Sequence, residues 1–248
     1  MDRYAVIGNP IEHSLSPEIH QTFAKQTGRL MDYVRLLSAP EQFIPKVREF
    51  FASGGKGLNV TYPFKQQAFL LVAKYSERAA QAKAVNTLWR LPNGSLYGDN
   101  TDGIGLVRDI SINRGMCLKN KTILILGAGG AVRGILGPLL AELPAQITVA
   151  NRTLEKTQQL AQEFAIKIIL GPNFFGSRDE KYDVIINCTP VPLRNHLVTS
   201  ATELFYEINY QHVHDDGFGM LVEQAAESFW LWHGVRPNTV PLQVLRFK

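Results

Sequence analysis

The 248-residue chain is 45% hydrophobic and 19% charged, long enough for one large or two ordinary folded units and too apolar for a disordered one. Its formal net charge of +4 is mild and no Lys/Arg run makes a nucleic-acid footprint, so the expected partner is an anionic small molecule and not nucleic acid. The two cysteines, Cys117 and Cys188, stand far apart without CxxC spacing, which fits a reducing compartment and excludes a disulfide framework or zinc ribbon.

The opening MDRYAVIGNP has no charged segment leading into an apolar one, so no secretory signal is expected. No apolar run reaches the ~20 residues of a spanning helix, and a soluble, cytoplasmic protein is anticipated. RYAVIG (3–8) reads as a buried strand ending at glycine. SPEIHQTFAKQTG (16–28) follows as a helix, with Ser16 at the N-cap, Pro17 at the first helical position and Gly28 as the stop. DYVRLL (32–37) is a second strand, PEQFIPKVREFFASG (40–54) a second helix with Pro45 in its opening turns, and KGLNV (56–60) a third strand. Strands alternating with helices point to a parallel sheet, while AVNTLWRLPNGSLYGDN (84–100) reads as a hairpin around PNG.

A helix from about Gly103 to Arg114 leads to NKTILILGAGGAVRGILGPLL, where an apolar strand (Ile123–Leu126) runs into a glycine cluster and another helix. This looks like a fresh βαβ unit, so a domain boundary falls near residue 102. Further strands are expected at 146–150, 167–170, 183–187 and 204–210, forming with two clear helices a compact doubly wound sheet. The last long helix, 219–234, is apolar on nearly every side and should be packed between elements, with FWLWHG in the core.

GAGGAVRG (127–134) has the spacing of a dinucleotide loop. Gly127 makes the tight turn, Gly129 admits a pyrophosphate to the backbone, and the helix starting near Gly130 offers N–H groups and a positive dipole end. After the next strand, NAD folds usually carry Asp or Glu for the ribose. Here ANRTLEK supplies Asn151, Arg152, Thr153 and Lys156, a set suited to a 2′-phosphate, with Arg152 read as lying on the first helical turn. NADP is the expected cofactor.

In the first half, four signatures supply side chains suited to a hydroxylated acid. HSLSP carries Ser14 and Ser16, NVTYPFK carries Asn59, Thr61 and Lys65, AVNT carries Asn86, and GDNTDG carries Asp102. Each has a plain explanation as a cap or strand end. Lys65 is the odd one: a cation on a helix's first turn opposes the dipole there. The histidines are scattered. HVH (212–214) reads as a solvated loop, His13 as a brace for the serine loop, and no metal ligand set is evident.

Taken in order, HSLSP, NVTYPFK, AVNT, GDNTDG, GAGGA, NRT and DGFGMLVEQAA resemble the shikimate dehydrogenase family over nearly the whole chain. The resemblance implies NADP-linked, reversible reduction of 3-dehydroshikimate to shikimate. It also implies an α/β fold of two domains flanking a cleft: a mainly parallel-sheet substrate domain (1–102 with 219–248) and a Rossmann-type NADP domain (103–218). Lys65 and Asp102 would be the catalytic pair. Ser14, Ser16, Thr61, Asn86, Asp102 and Gln224 would be substrate contacts, with Asn59 beside them and Tyr210 matching a family tyrosine near substrate. Ala128 and Ala131 fall within the cofactor loop, and Ile208 and Gly217 would border the cofactor. The sequence leaves the assembly open between a monomer and a homodimer.

The chain departs from the family pattern in the cofactor half. NCTPVPLRNHL has prolines in place of small flexible residues, Ile208 stands where Met is usual, and Glu207 where Asp is usual. Tyr210 reaches Gly217 in a few residues, so a helix that the family carries there is absent from the pattern. Two other functions therefore stand beside the first: a quinate/shikimate dehydrogenase using NAD, and a non-catalytic NADP- or shikimate-binding homologue.

Overall fold

The computed structural model describes residues 1–164, 166–170, 181–191, 193 and 202–247. Two sheets organise them. The first begins with β1 (Asp2–Gly8), α1 (Ser16–Thr27) and β2 (Met31–Leu37), followed by a 3₁₀ turn at Pro40–Gln42, α2 (Phe43–Ala52) and β3 (Gly55–Val60). It continues through α3 (Lys65–Leu71), β4 (Lys74–Tyr75), α4 (Glu77–Ala82), β5 (Thr87–Arg90) and β6 (Leu96–Asp99). The spatial order is β2-β1-β3-β5-β6-β4. β1 runs parallel to both β2 and β3, and the expected hairpin adds β5 and β6 antiparallel.

The second sheet follows α5 (Asp102–Arg108) and its π-helical extension Asp109–Asn113. It is built from β7 (Thr122–Leu126), α6 (Gly130–Ala141), β8 (Gln146–Asn151), α7 (Leu154–Glu163), β9 (Lys167–Leu170), β10 (Val184–Asn187) and β11 (Leu204–Glu207). Its order is β11-β10-β7-β8-β9, and every pair is parallel. The order reverses between β7 and β10, and the crevice at such a reversal is where doubly wound sheets hold ligands. The long helix α8 (Asp216–His233) then returns to the first sheet, and a short helix, Val240–Gln243, follows. No helix among the described residues is long and apolar enough to cross a membrane.

α8 explains its own sequence. Met220 packs into the core of the second sheet with Ile123, Ile125 and Val184, whereas Phe218, Val222, Ala226 and Phe229 pack with Tyr4, Ile19 and Phe23 of the first. A helix serving two cores needs apolar residues on several sides. Each fully buried Phe or Val contributes roughly 1.5–3 kcal/mol of hydrophobic stabilisation. FWLWHG is only partly core: Phe229 is fully buried, but Trp230 turns to solvent.

Several boundaries differ from the sequence reading, among them the last long helix, which starts at Asp216 and not at residue 219. α1 starts at Ser16 itself with Leu15 at the N-cap, and the Ser16 amide donates to Ser14 Oγ at 3.4 Å, so Ser14 is the serine that receives a backbone amide. β11 ends at Glu207 and not at Tyr210, because its neighbour β10 ends at Asn187, the partner of Glu207, and offers no further ladder. α7 starts at Leu154 with Thr153 at the N-cap, which puts Arg152 in the turn before the helix and not on its first turn. The segment from Ile208 to Asp215 passes directly into α8 without an intervening helix.

Candidate active site

The serine loop leaves β1 at Gly8 and is held from below. Arg35 on β2 donates from Nε to the Ser14 carbonyl at 2.8 Å, and its Nη2 reaches Glu18 at 2.7 Å. Arg35, and not His13, is therefore the brace of this loop. At the end of β3, Thr61 and the cis Tyr62–Pro63 bond turn the chain into α3, whose first residue is Lys65. The helix end disfavours a cation, and Asp102 answers it: Lys65 Nζ donates to Asp102 Oδ2 at 2.6 Å. The carboxylate side chain is 8% exposed and the lysine 27%. Asp102 is itself the first residue of α5, where the dipole favours negative charge.

Asp102 is held on every polar atom. Asn86 Nδ2 donates to its Oδ1 at 2.8 Å, and its backbone amide donates to Asn100 Oδ1 at 3.1 Å. Asn86 accepts in turn from the Thr101 amide at 2.9 Å and from Thr87 Oγ1 at 2.8 Å. Gln224 Oε1 accepts from Thr101 Oγ1 at 3.3 Å. Asn59 is committed to the scaffold: it accepts from Tyr33 Oη at 2.7 Å and donates to the Asn86 carbonyl, Thr87 and Ser228. Polar groups this deeply buried cost free energy unless bonded, so a closed network is the arrangement burial demands.

One cleft of about 670 Å³ gathers these groups. Ser14, Ser16, Asn59, Thr61, Lys65, Asn86, Asp102, Tyr210 and Gln224 all line it. Gly130, Ala131, Ile208 and Gly217 line the same cleft from the second sheet. Burial and the nearby Asp102 push the Tyr210 phenol up to about 12, so it stays a neutral donor at ordinary pH. Gly217 is required by packing, because a Cβ there would stand 2.2 Å from the Ile208 carbonyl oxygen.

Gly127, Ala128, Gly129, Asn151, Arg152 and Thr153 lie outside that cleft wall. Gly127 takes φ +105°, a left-handed turn that side chains resist, and delivers the chain to the N-terminus of α6. A Cβ at Gly129 or Gly130 would meet no protein atom within 4 Å, so packing does not require these glycines, and they leave a smooth cradle over a helix end. Arg152 and Thr153 are exposed beside it, with Asn151 Nδ2 bonded to the Thr153 carbonyl at 3.0 Å. A cradle of backbone N–H groups with a neighbouring guanidinium fits a phosphorylated dinucleotide. Lys156 belongs to α7, but its side chain lies outside the described residues, as do Pro192 and 194–197 of the proline-containing segment.

Family models match in three pieces: the shikimate dehydrogenase substrate-binding domain over residues 6–88, shikimate/quinate 5-dehydrogenase over 110–203, and the shikimate 5′-dehydrogenase C-terminal domain over 217–241. The NADP(+) shikimate dehydrogenase of Alkalilimnicola ehrlichii is 47% identical, with 97% of each chain covered. That of Laribacter hongkongensis is 48% identical, over 96% of this chain and 95% of its own. The chain belongs to the shikimate dehydrogenase family.

Solved structures agree. An Ael1 enzyme from Pseudomonas putida superposes with a TM-score of 0.90 at 38% identity, covering 99% of this chain and 98% of its own. The shikimate 5-dehydrogenase of Thermus thermophilus, solved with NADP(H) and shikimate, gives 0.84 at 28% identity, over 100% and 99%. Within this family fold, sequence reasoning missed Thr101, Tyr33 and Ser228. Thr101 sits inside the quoted GDNTDG, and its burial is legible only once Asn86 is seen beside it. Tyr33 and Ser228 read as ordinary strand and helix residues, because their partner Asn59 lies 26 and 169 positions away in sequence.

Proposed function

We propose that the protein catalyses the reversible NADPH-dependent reduction of 3-dehydroshikimate to shikimate. The observation that carries the proposal is the Lys65–Asp102 pair, 2.6 Å apart at the wall of a cleft otherwise lined by hydroxyls and amides. The dinucleotide supplies or accepts a hydride. Lys65 holds the ketone oxygen as negative charge develops on it and delivers the proton that completes the alcohol. Asp102, fixed by Asn86 and Asn100, aims the ammonium and accepts from a ring hydroxyl. Ser14 and Ser16 donate to the substrate carboxylate, while Thr61, Asn86, Gln224 and Tyr210 hold the ring hydroxyls, with Asn59 fixing Asn86 from behind.

Gly127 to Ala131 would cradle the pyrophosphate, Arg152 and Thr153 with Asn151 and Lys156 would hold the 2′-phosphate, and Ile208 and Gly217 would border the nicotinamide. The same reading divides the chain into a substrate unit (1–102 with 219–248) and a cofactor unit (103–218), working in the cytoplasm as a monomer or homodimer. A cationic, acid-free turn after β8 supports NADP over NAD.

Steady-state reduction of NADP or NAD with shikimate or quinate tests all of this. NADP with shikimate should be the fastest combination. Measurable binding of both ligands without turnover would make the chain a binding homologue, and a preference for NAD with quinate would favour the other dehydrogenase.

A further inference from the structure

We propose that Arg78 is a positioning residue for this reaction, fixing Asp102 and Gln224 relative to each other from outside the cleft. The inference rests on the reading of Lys65–Asp102 as the proton-transfer pair.

The turn that presents Asp102 hangs from the carboxylate of Asp99. Asp99 Oδ1 accepts from the Asn100 amide at 2.6 Å, and Asn100 Oδ1 accepts from the Asp102 amide at 3.1 Å. The Asn100 side chain is pinned on its other side, its Nδ2 donating to the Ala84 carbonyl at 3.1 Å. Asp99 therefore sets where Asn100 stands, and Asn100 sets where α5 begins. Arg78, on α4, grips both oxygens of Asp99, from Nε to Oδ1 at 2.7 Å and from Nη2 to Oδ2 at 2.8 Å. Ser76 also donates to Oδ1.

The remaining edge of the same guanidinium donates to Glu227 Oε1, from Nη1 at 3.0 Å and Nη2 at 3.1 Å. Glu227 lies on α8 one turn beyond Gln224, which reaches back to Thr101. One planar group thus locks the Asp102 turn and the Gln224 helix together. The two carboxylate side chains are 5% and 8% exposed, so thermal slack there is small and any misfit passes to the elements that bear them. Only a guanidinium offers this fork: a lysine keeps the charge but cannot bridge both carboxylates in one plane.

Another ion pair joins the far end of α5 to α8, Arg108 Nε with Glu223 Oε2 at 3.0 Å, and it bonds to nothing in the 99–102 turn. It separates positioning from mere stabilisation. Arg78→Lys should lower kcat by about tenfold to a hundredfold, the loss that a displaced catalytic group brings, with a smaller rise in the shikimate dissociation constant because Asp102 and Gln224 also hold ring hydroxyls. Arg108→Lys should leave kcat unchanged whatever it does to thermal stability. If Arg78→Lys does not fold, Asp99→Asn, which keeps the shape and loses the charge, is judged by the same two numbers. A folded variant with wild-type kcat overturns the proposal, and so do equal losses in the Arg78 and Arg108 variants. A wild-type protein without turnover, or a Lys65→Ala protein that retains it, would instead overturn the reading of the proton-transfer pair.

Discussion

Along the wall that carries Lys65, polar side chains are buried and already bonded to one another: Asn59 to Tyr33 and Ser228, Asn86 to Asp102 and Thr101. Along the dinucleotide loop the corresponding groups are backbone amides at a helix end and exposed side chains such as Arg152 and Thr153. The first wall has met its ordering cost during folding, so a substrate meets fixed donors. The second leaves part of that cost to be met on binding, and the ligand it suits is larger and more highly charged. The contrast follows from the two chemistries. Proton transfer needs a donor placed within tenths of an ångström, whereas a phosphate is held by charge and by many amides.

The strongest way to break the contrast is at Lys65. Lys65→Ala leaves the network around Asn86 and Asn59 intact and removes the proposed proton donor. Turnover should fall by about 10²–10⁴-fold with little change in shikimate affinity. Rapid-mix and steady-state rates with calorimetric binding check this, and a large loss of affinity at unchanged kcat would reduce Lys65 to a substrate anchor.

Lys65 was the most legible part of the site because its oddity is local: a cation stands at the start of a helix that the sequence itself delimits. The glycine loop was legible for the same reason, since Ile123–Leu126 and the following helix frame it. The misplaced residues all depend on distant partners. β11 keeps its apolar pattern through Ile208, but only the end of β10 at Asn187 stops the ladder. Ser16 reads as the cap by sequence, and only the fold of the serine loop over Arg35 places it inside the helix with its amide on Ser14. Asn59 does line the cleft, but its commitment to Tyr33, Thr87 and Ser228 joins three remote elements that no local pattern shows. Fold class is a matter of short-range period, which sequence carries well. A closed buried network is a matter of long-range closure, which it does not.

A second prediction tests how rigid the substrate wall is. His20 is fully buried, stacked on Tyr33 at 4.3 Å between centroids, and neither ring nitrogen finds a hydrogen-bond partner. Burial, with the neighbouring His233, pushes its pKa down to about 3 against a smaller opposing pull from Asn59. In the unfolded chain the ring has its ordinary pKa near 6.5, so as pH falls below that value the unfolded state gains a proton that the folded state refuses. Stability therefore drops with acid through this window, by about 2 kcal/mol between pH 7 and 5 from this residue alone. His20→Phe keeps a stacking ring and removes the proton site. Urea midpoints at the two pH values should lie closer together in the variant than in the wild type by that margin, and an unchanged spacing would mean the ring is protonated in place.

The smallest effect belongs to the cofactor wall. Arg152 is exposed in the turn after β8, where ion pairs are screened by solvent and salt. If Arg152 holds the 2′-phosphate as proposed, Arg152→Ala should raise the KM for NADP by about tenfold and leave that for NAD, which lacks this phosphate, nearly unchanged. The wild-type NADP affinity should also weaken with added salt more steeply than that of the variant, whereas shikimate affinity, which on the proposed reading rests largely on buried side chains, should respond less. Equal losses for NADP and NAD would move the role of Arg152 from the 2′-phosphate to the adenosine or the turn itself. The cofactor wall would then be as internally fixed as the substrate wall.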